Sequence, residues 1–174
     1  MEDTLTFEKP KILLEEILQQ INSHFPDLEE ANIAKTRKLQ IKCTKESIKP
    51  LCKYLHDELG FEHIIDVTSV DYRKNLEMVY HINSYQNNCI VKILAEVPND
   101  DLTVDSVADI WGGANWHERE AYDMFGITFT GHPNLIRILL PPDSDYHPLR
   151  KSFKNEKKKD WNVNRPPPQK GGDA

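Results

Sequence analysis

Cysteine is scarce in this sequence: three occur among 174 residues, at positions 43, 52 and 89, with no C-x-x-C pair and no zinc-ribbon spacing. An odd, widely spaced set excludes a disulfide framework, and it falls short of the roughly four thiolates that hold an iron–sulfur cluster. Each lies within a hydrophobic pattern, so Cys43, Cys52 and Cys89 are expected to be small buried apolar side chains. Long apolar runs are also missing. No stretch reaches the about 18 residues that a membrane-spanning helix takes. The opening MEDTLTFEKP has neither the basic-then-apolar order of a secretory signal nor the Arg-rich, acid-poor composition of a transit peptide, which points to a cytoplasmic protein that starts here.

Catalytic motifs are absent as well: there is no G-x-S-x-G, no phosphate-cradling glycine loop, no G-x-G-x-x-G and no Cys/His pair at usable spacing. One near-match remains, NWHEREAYDMFG at 115–126. A zinc-protease helix needs a second His four residues after the first, and the residue four beyond His117 is Ala121. Asn115 followed by Glu118 instead matches a capping box, in which the Glu reaches back to the amide of the cap residue. Capping leaves the rest of the helix unexplained. Glu118 falls among Ala121, Tyr122 and Phe125, while Trp116, Arg119, Glu120 and Asp123 share the other side, so no clean polar face is left for water. Such a helix is covered from more than one direction. Arg119 and Asp123 can pair locally, but an exposed pair is worth only about 0.3–0.5 kcal/mol, and charges set among aromatics point to partners from another polypeptide.

Acidic residues dominate the body. Residues 1–149 hold 14 Lys+Arg against 25 Asp+Glu, whereas residues 150–174 hold 8 against 3. The body repels nucleic acid, and the basic tail, with Phe153 and Trp161 as its aromatics, is poor in the interleaved rings that stack bases.

Apolar periodicity organises residues 1–125 into one α+β domain. Leu14, Ile17, Leu18, Ile21 and Phe25 give a helix over 10–24, stopped by Pro26. Leu39, Ile41 and Cys43 alternate with polar residues in a half-exposed strand. Ile48, Leu51, Cys52, Leu55 and Leu59 form a helical stripe with Ser47 as N-cap and Gly60 in the left-handed position after it. Strands follow at about 62–71, 76–84 and 89–97; the separators RKN and QNN are turn chemistry, which makes these three an antiparallel meander. Val104, Val107, Ala108 and Trp111 suggest a helix before Gly112, and the quoted helix ends at Gly126. The architecture expected is helices packed on an antiparallel or mixed sheet of about four strands.

Residues 126–153 are rich in proline and glycine and read as an extended arm that needs another surface to be ordered; residues 154–174 read as a basic, Pro-rich, disordered tail. His132 and His147 both precede proline, which favours extended backbone, and they are expected to anchor the arm by hydrogen bonds. With Asp143 and Asp145 nearby, a metal site is the other option, but no ligand spacing is recognisable.

The stretch WHEREAYDMFGITFTGHPNLIRILLPPDSDYHPLRKSF, residues 116–153, resembles the respiratory-chain NADH dehydrogenase 30 kDa subunit family, the C subunit of bacterial complex I and its J counterpart. An E-R-E-x-[aromatic]-D-[Met or Leu]-[Phe or Tyr]-G-I core stands as Glu118, Arg119, Glu120, Tyr122, Asp123, Met124, Phe125, Gly126 and Ile127. His132, Pro133, Leu135, Arg137, Ile138 and Leu139 match its second segment, and Pro148, Leu149, Arg150 and Lys151 its P-L-R-K. The sequence departs from the family pattern at Ile136, where a second Arg is common, at Ser144 and at Ser152.

The resemblance implies a non-catalytic structural subunit in the peripheral arm of a proton-pumping, quinone-reducing complex. Such a protein lies on the cytoplasmic face of the membrane, carries no cofactor itself, and leaves iron–sulfur clusters and quinone to other subunits. Its arm packs along the large subunit that is similar to nickel–iron hydrogenases. Glu118, Arg119, Glu120 and Asp123 would fix the helix and its docking. His132, Pro133, Arg137, His147, Pro148, Leu149, Arg150 and Lys151 would anchor the arm. Other peripheral-arm subunits are further partners, the membrane is met only through the complex, and nucleic acid is not a partner. The rival readings are the equivalent component of a membrane-bound hydrogenase or of a complex fed by another donor, a zinc hydrolase, and a free-standing adaptor using the basic tail.

Overall fold

Alternation of apolar and polar side chains builds the sheet, and the register of its strands lines the apolar members up. The computed structural model describes residues 13–154; the tail from 155 and the first turn expected for the N-terminal helix lie outside them. Helix α1 (Leu14–His24) leads into β1 (Glu30–Lys35) and β2 (Lys38–Thr44), and a short 3-10 turn precedes α2 (Ile48–Asp57). Three longer strands follow, β3 (His63–Asp71), β4 (Asn75–Ser84) and β5 (Cys89–Pro98). Then come β6 (Thr103–Asp105), α3 (Ala114–Phe125) and β7 (Thr128–Thr130).

The main sheet has five strands in the order β1-β2-β5-β4-β3. It is mixed: β3, β4 and β5 form the expected antiparallel meander, β1 and β2 a hairpin, and β2 joins β5 in parallel. The crossover from β2 to β3 carries α2, as a parallel junction requires. Ile41, Ile93, Tyr80 and Val67 stand opposite one another across four strands, and all four are buried against Ile17 and Ile21 of α1 and Leu51, Cys52 and Leu55 of α2. In β3 an extra residue at Ile65 shifts the register between Ile64 and Asp66. That bulge lets Ile64 and Val67 both face inward while Ile65 is exposed.

Arg73 and Asn88 hold positive φ in the turns flanking β4, and Gly60 does so after α2, where the sequence carries turn and cap chemistry. Several expectations are corrected. A fifth strand, β1, joins the sheet edge; EANIAK shows no alternation because it is largely exposed. The helix expected from Val104 to Trp111 does not form. Val104 instead belongs to β6, which pairs in parallel with β7; the Ser106 amide donates to the Thr130 carbonyl and the Val107 amide to Glu118, which carries the sheet pairing on to residue 106 and leaves room before Gly112 for a single turn, closed by the Ile110 and Trp111 amides on the Val107 carbonyl. Ser47 is not a cap: its backbone is helical and no side-chain cap bond forms.

Candidate functional site

Helix α3 presents three faces, which explains why its sequence shows no simple amphipathic stripe. Ala114, Glu118, Ala121, Met124 and Phe125 are buried on the body. Asn115, Arg119 and Asp123, spaced by four, lie along one side and are met in that order by the arm. Trp116, 62% exposed, and Glu120 point outward.

Glu118 does not cap its own helix. Asn115 lies inside α3, whose N-cap position is Gly113 without a side-chain bond. The fully buried Glu118 carboxylate accepts from the Ser106 hydroxyl at 2.6 Å and from the Val107 amide at 2.7 Å, so it ties α3 to the segment after β6. Burial pushes its carboxyl up to about 7, against the opposing pull of those two hydrogen bonds. His132 stands 4.0 Å from it. The Asn134 amide donates to His132 Nδ1 at 3.0 Å, which leaves Nε2 to carry the proton donated to the Asn115 carbonyl at 3.2 Å.

Asp123 is the second buried carboxylate of α3, and it organises the arm. One oxygen accepts from Arg137 Nη1 at 2.6 Å. The other accepts from three successive amides, Ile138 at 3.1 Å, Leu139 at 2.7 Å and Leu140 at 2.9 Å. Burial alone would raise this carboxyl, but the three amides and the guanidinium together hold it below the ordinary carboxylate value. The arm also caps α3. A helix leaves its last carbonyls without intrahelical donors; here the Asp123 carbonyl accepts from His147 Nδ1 at 3.0 Å and from Arg137, and the Met124 carbonyl from the Leu149 amide at 3.1 Å. The cation Arg137 sits where the helix dipole favours positive charge. Gly126 has φ +79, and a Cβ there would stand 2.8 Å from the His147 ring, so both the turn and the approach of the arm require glycine.

Past His147 the arm reaches β3. Asp71 accepts from the Lys151 amide at 2.8 Å, with Arg150 Nε at 3.8 Å. Alternation could have flagged Asp71, since it follows Val67 and Ser69 on the inward side of β3; Ser106 carries no comparable signal.

The expectation that α3 draws its charge partners from another polypeptide is therefore corrected for Glu118 and Asp123: both are satisfied within the chain. Arg119 and Asp123 do not pair. Arg119 donates to the Ile136 carbonyl at 3.0 Å and stacks over Trp116, 4.8 Å from the ring centre. His132 and His147 do anchor the arm by hydrogen bonds, and among the described residues no three His, Cys, Asp or Glu side chains gather to hold a metal. Pro133 and Lys151 are exposed, Pro148 half-buried. The cysteines are buried and free, with burial lifting Cys43 to about 12 and Cys89 to about 11, far from thiolate chemistry.

Three large aliphatic side chains of the arm face outward. Ile136 is 51% exposed, Leu139 60% and Leu149 53%, on a backbone whose polar groups are tied down from beneath.

The family model for the respiratory-chain NADH dehydrogenase, 30 Kd subunit, matches residues 41–159. The chain belongs to that family. It is 37% identical over 141 residues to the C subunit of the F(420)H(2) dehydrogenase of Methanosarcina mazei, covering 79% of this chain and 89% of that one. With the C subunit of the NADH-quinone oxidoreductase of Citrifermentans bemidjiense it shares 44% over 112 residues, 63% of this chain and 70% of the relative. A longer relative, the C/D subunit of the NADH-quinone oxidoreductase of Acidiphilium cryptum, is 43% identical over 103 residues, 53% of this chain and 17% of that one. A chain in the structure of the membrane-bound sulfane sulfur reductase, an archaeal respiratory membrane complex, superposes with TM-score 0.73 at 26% identity, covering 82% of this chain and 86% of that one. Family members are thus components of respiratory oxidoreductase complexes. Among the described residues of this one, no helix is long and apolar enough to cross a membrane.

Proposed function

We propose that this chain is a non-catalytic structural and assembly subunit in the peripheral part of a proton-translocating, quinone-reducing oxidoreductase, on the cytoplasmic face of its membrane. Its arm and the outer face of α3 dock on the large quinone-site subunit, and iron–sulfur clusters and quinone reside on other chains. One observation carries this reading: the arm is pinned by internal hydrogen bonds while Ile136, Leu139 and Leu149 face outward. Three large aliphatic side chains exposed on one fixed segment, with Trp116 exposed on the helix that holds it, are surface of the kind that marks a protein interface. The longer C/D relative supports the choice of partner, because there the region similar to this chain shares a polypeptide with the D component. The non-catalytic part of the proposal is supported by where the buried polar groups are spent: Glu118, Asp123, Arg137 and His147 all hold structure together.

The test is the triple substitution Ile136→Ser, Leu139→Ser, Leu149→Ser in the full chain. The expected result is a melting temperature lowered by no more than a few degrees for the purified chain, with loss of that chain from the detergent-solubilised complex. A triple variant that assembles at the normal yield would overturn the docking surface.

A further inference from the structure

The root of the arm closes over Glu118. His132 lies on a stretch whose neighbours Gly131, Pro133 and Asn134 are exposed, yet its imidazole is wholly enclosed, as is the Glu118 carboxylate 4.0 Å away. The ring is held neutral by two partners that have no choice of role. The Asn134 amide can only donate, to Nδ1, and the Asn115 carbonyl can only accept, from Nε2. A second ring proton would face the Asn134 N–H, so the seated imidazole supplies no charge to balance an ionised neighbour. The other walls do not supply one either. Lys49 of α2 acts on Glu118, but it pairs with Asp109 at 3.0 Å, and the two pull in opposite directions. Cys52 of α2 and Tyr80 of β4 also face the cluster; burial holds both well above their ordinary values, so both stay neutral. Ser106 serves either form of the carboxyl, because its hydroxyl can donate to the anion or accept from the acid. A buried carboxylate with two hydrogen bonds and no cation in contact is the costly form. Water is its relief. Cys52, Tyr80, Ser106 and Val107 are core on their sides, which leaves the root of the arm as the wall that can yield.

We propose that this root is a pH-sensitive latch: His132 stays seated over Glu118 while that carboxyl carries its proton, and gives way to water as the carboxyl ionises. Burial lifts the carboxyl to about 7 in the seated form; in contact with water it returns toward the ordinary carboxylate value. The seated form therefore keeps a proton that the open form has lost, so seating is strongest below about 4.5 and weakens as pH rises to about 7. Farther along, the arm does not follow. Asp123 is held by three amides and Arg137, and its carboxyl is lowered. The latch needs no partner and concerns residues 131–134 alone.

Native-state hydrogen exchange of the full chain between about pH 5 and about pH 8 tests this, with the intrinsic pH dependence of exchange divided out. The opening constant read from the Asn134 amide should rise at least about tenfold across that range, while that of the Leu139 amide, bound to Asp123, stays level. An Asn134 opening that does not change, or an equal rise at Leu139, overturns the latch. Glu118→Gln keeps an acceptor for the Val107 amide and a partner for the Ser106 hydroxyl without titrating, and it should hold the Asn134 opening flat; an unchanged rise in that variant overturns the assignment to Glu118. Carbon-13 titration of the Glu118 carboxyl in the unmodified chain decides the same point however the variant folds. The rise at Asn134 should level off at the pH where that carboxyl is half ionised, and a rise that ends elsewhere overturns the proposal.

Discussion

The sheet body and the arm are held by opposite means. In the body, rows of aliphatic side chains such as Ile41, Ile93 and Val67 are fully buried across matched strands, and the hydrophobic effect, about 25 cal/mol per Å² of apolar area, dominates. The arm buries few such groups. Its course is set by anchors spaced along it: His132 at Asn115, Ile136 at Arg119, residues 137–140 at Asp123, residues 147–149 at the end of α3, and Lys151 at Asp71. A segment fixed by its backbone has its side chains left over. Here the leftover side chains include three large aliphatic ones, Ile136, Leu139 and Leu149, and on them rests the docking role proposed for the arm.

The comparison breaks most sharply at Asp123. Asp123→Ala removes the acceptor of Arg137 and of three amides at once and leaves a guanidinium without its counter-ion; the expected loss is about 3–5 kcal/mol. Hydrogen exchange should show the amides of 138–140 losing protection while those of β4 and β5 keep theirs if the arm is a separable layer. At Glu118 the effect depends on pH. A carboxyl raised to about 7 in the folded chain keeps its proton there after the unfolded chain has lost it, so stability falls as pH rises from about 4.5 to about 7, by no more than about 3 kcal/mol. Glu118→Gln should flatten that slope in denaturant titrations across the window. Asp123 has the opposite sign, since its carboxyl is lowered: its contribution is present above the unfolded value and is lost as acid protonates the folded carboxylate. Gly126→Ala combines a disfavoured left-handed residue with a ring that must leave the Asp123 carbonyl; about 1–3 kcal/mol of melting stability should disappear. At the small end, the triple serine change at Ile136, Leu139 and Leu149 should alter the chain's own stability by about 0.5 kcal/mol or less per site, and a larger loss would mean that the patch belongs to the core.

The parts of the fold carried by local periodicity are readable in the sequence: α2, β2 and the meander stand where their stripes and alternations place them. β1 is not, because an exposed edge strand needs no apolar alternation. The segment around Val107 misleads because spacings of three and four serve a buried loop as well as a helix. His132 and His147 are legible as anchors, and Gly126 as a helix end. The partners of Glu118 and Asp123 are out of reach, since Ser106 lies 12 residues before one and the amides of 138–140 lie 15 to 17 after the other, and backbone donors leave no mark on sequence. The family resemblance rests on the stretch that holds α3 and the arm; the geometry reassigns its buried carboxylates from pairing between polypeptides to internal support.

Hydroxyl-radical footprinting of the full chain, alone and within the solubilised complex, tests most directly the claim that a preformed arm offers a partner-binding face. Trp116, Leu139 and Leu149 should be labelled in the isolated chain and shielded after assembly, with the protection of the 138–140 backbone unchanged between the two states. Equal labelling of those side chains in both states would contradict it.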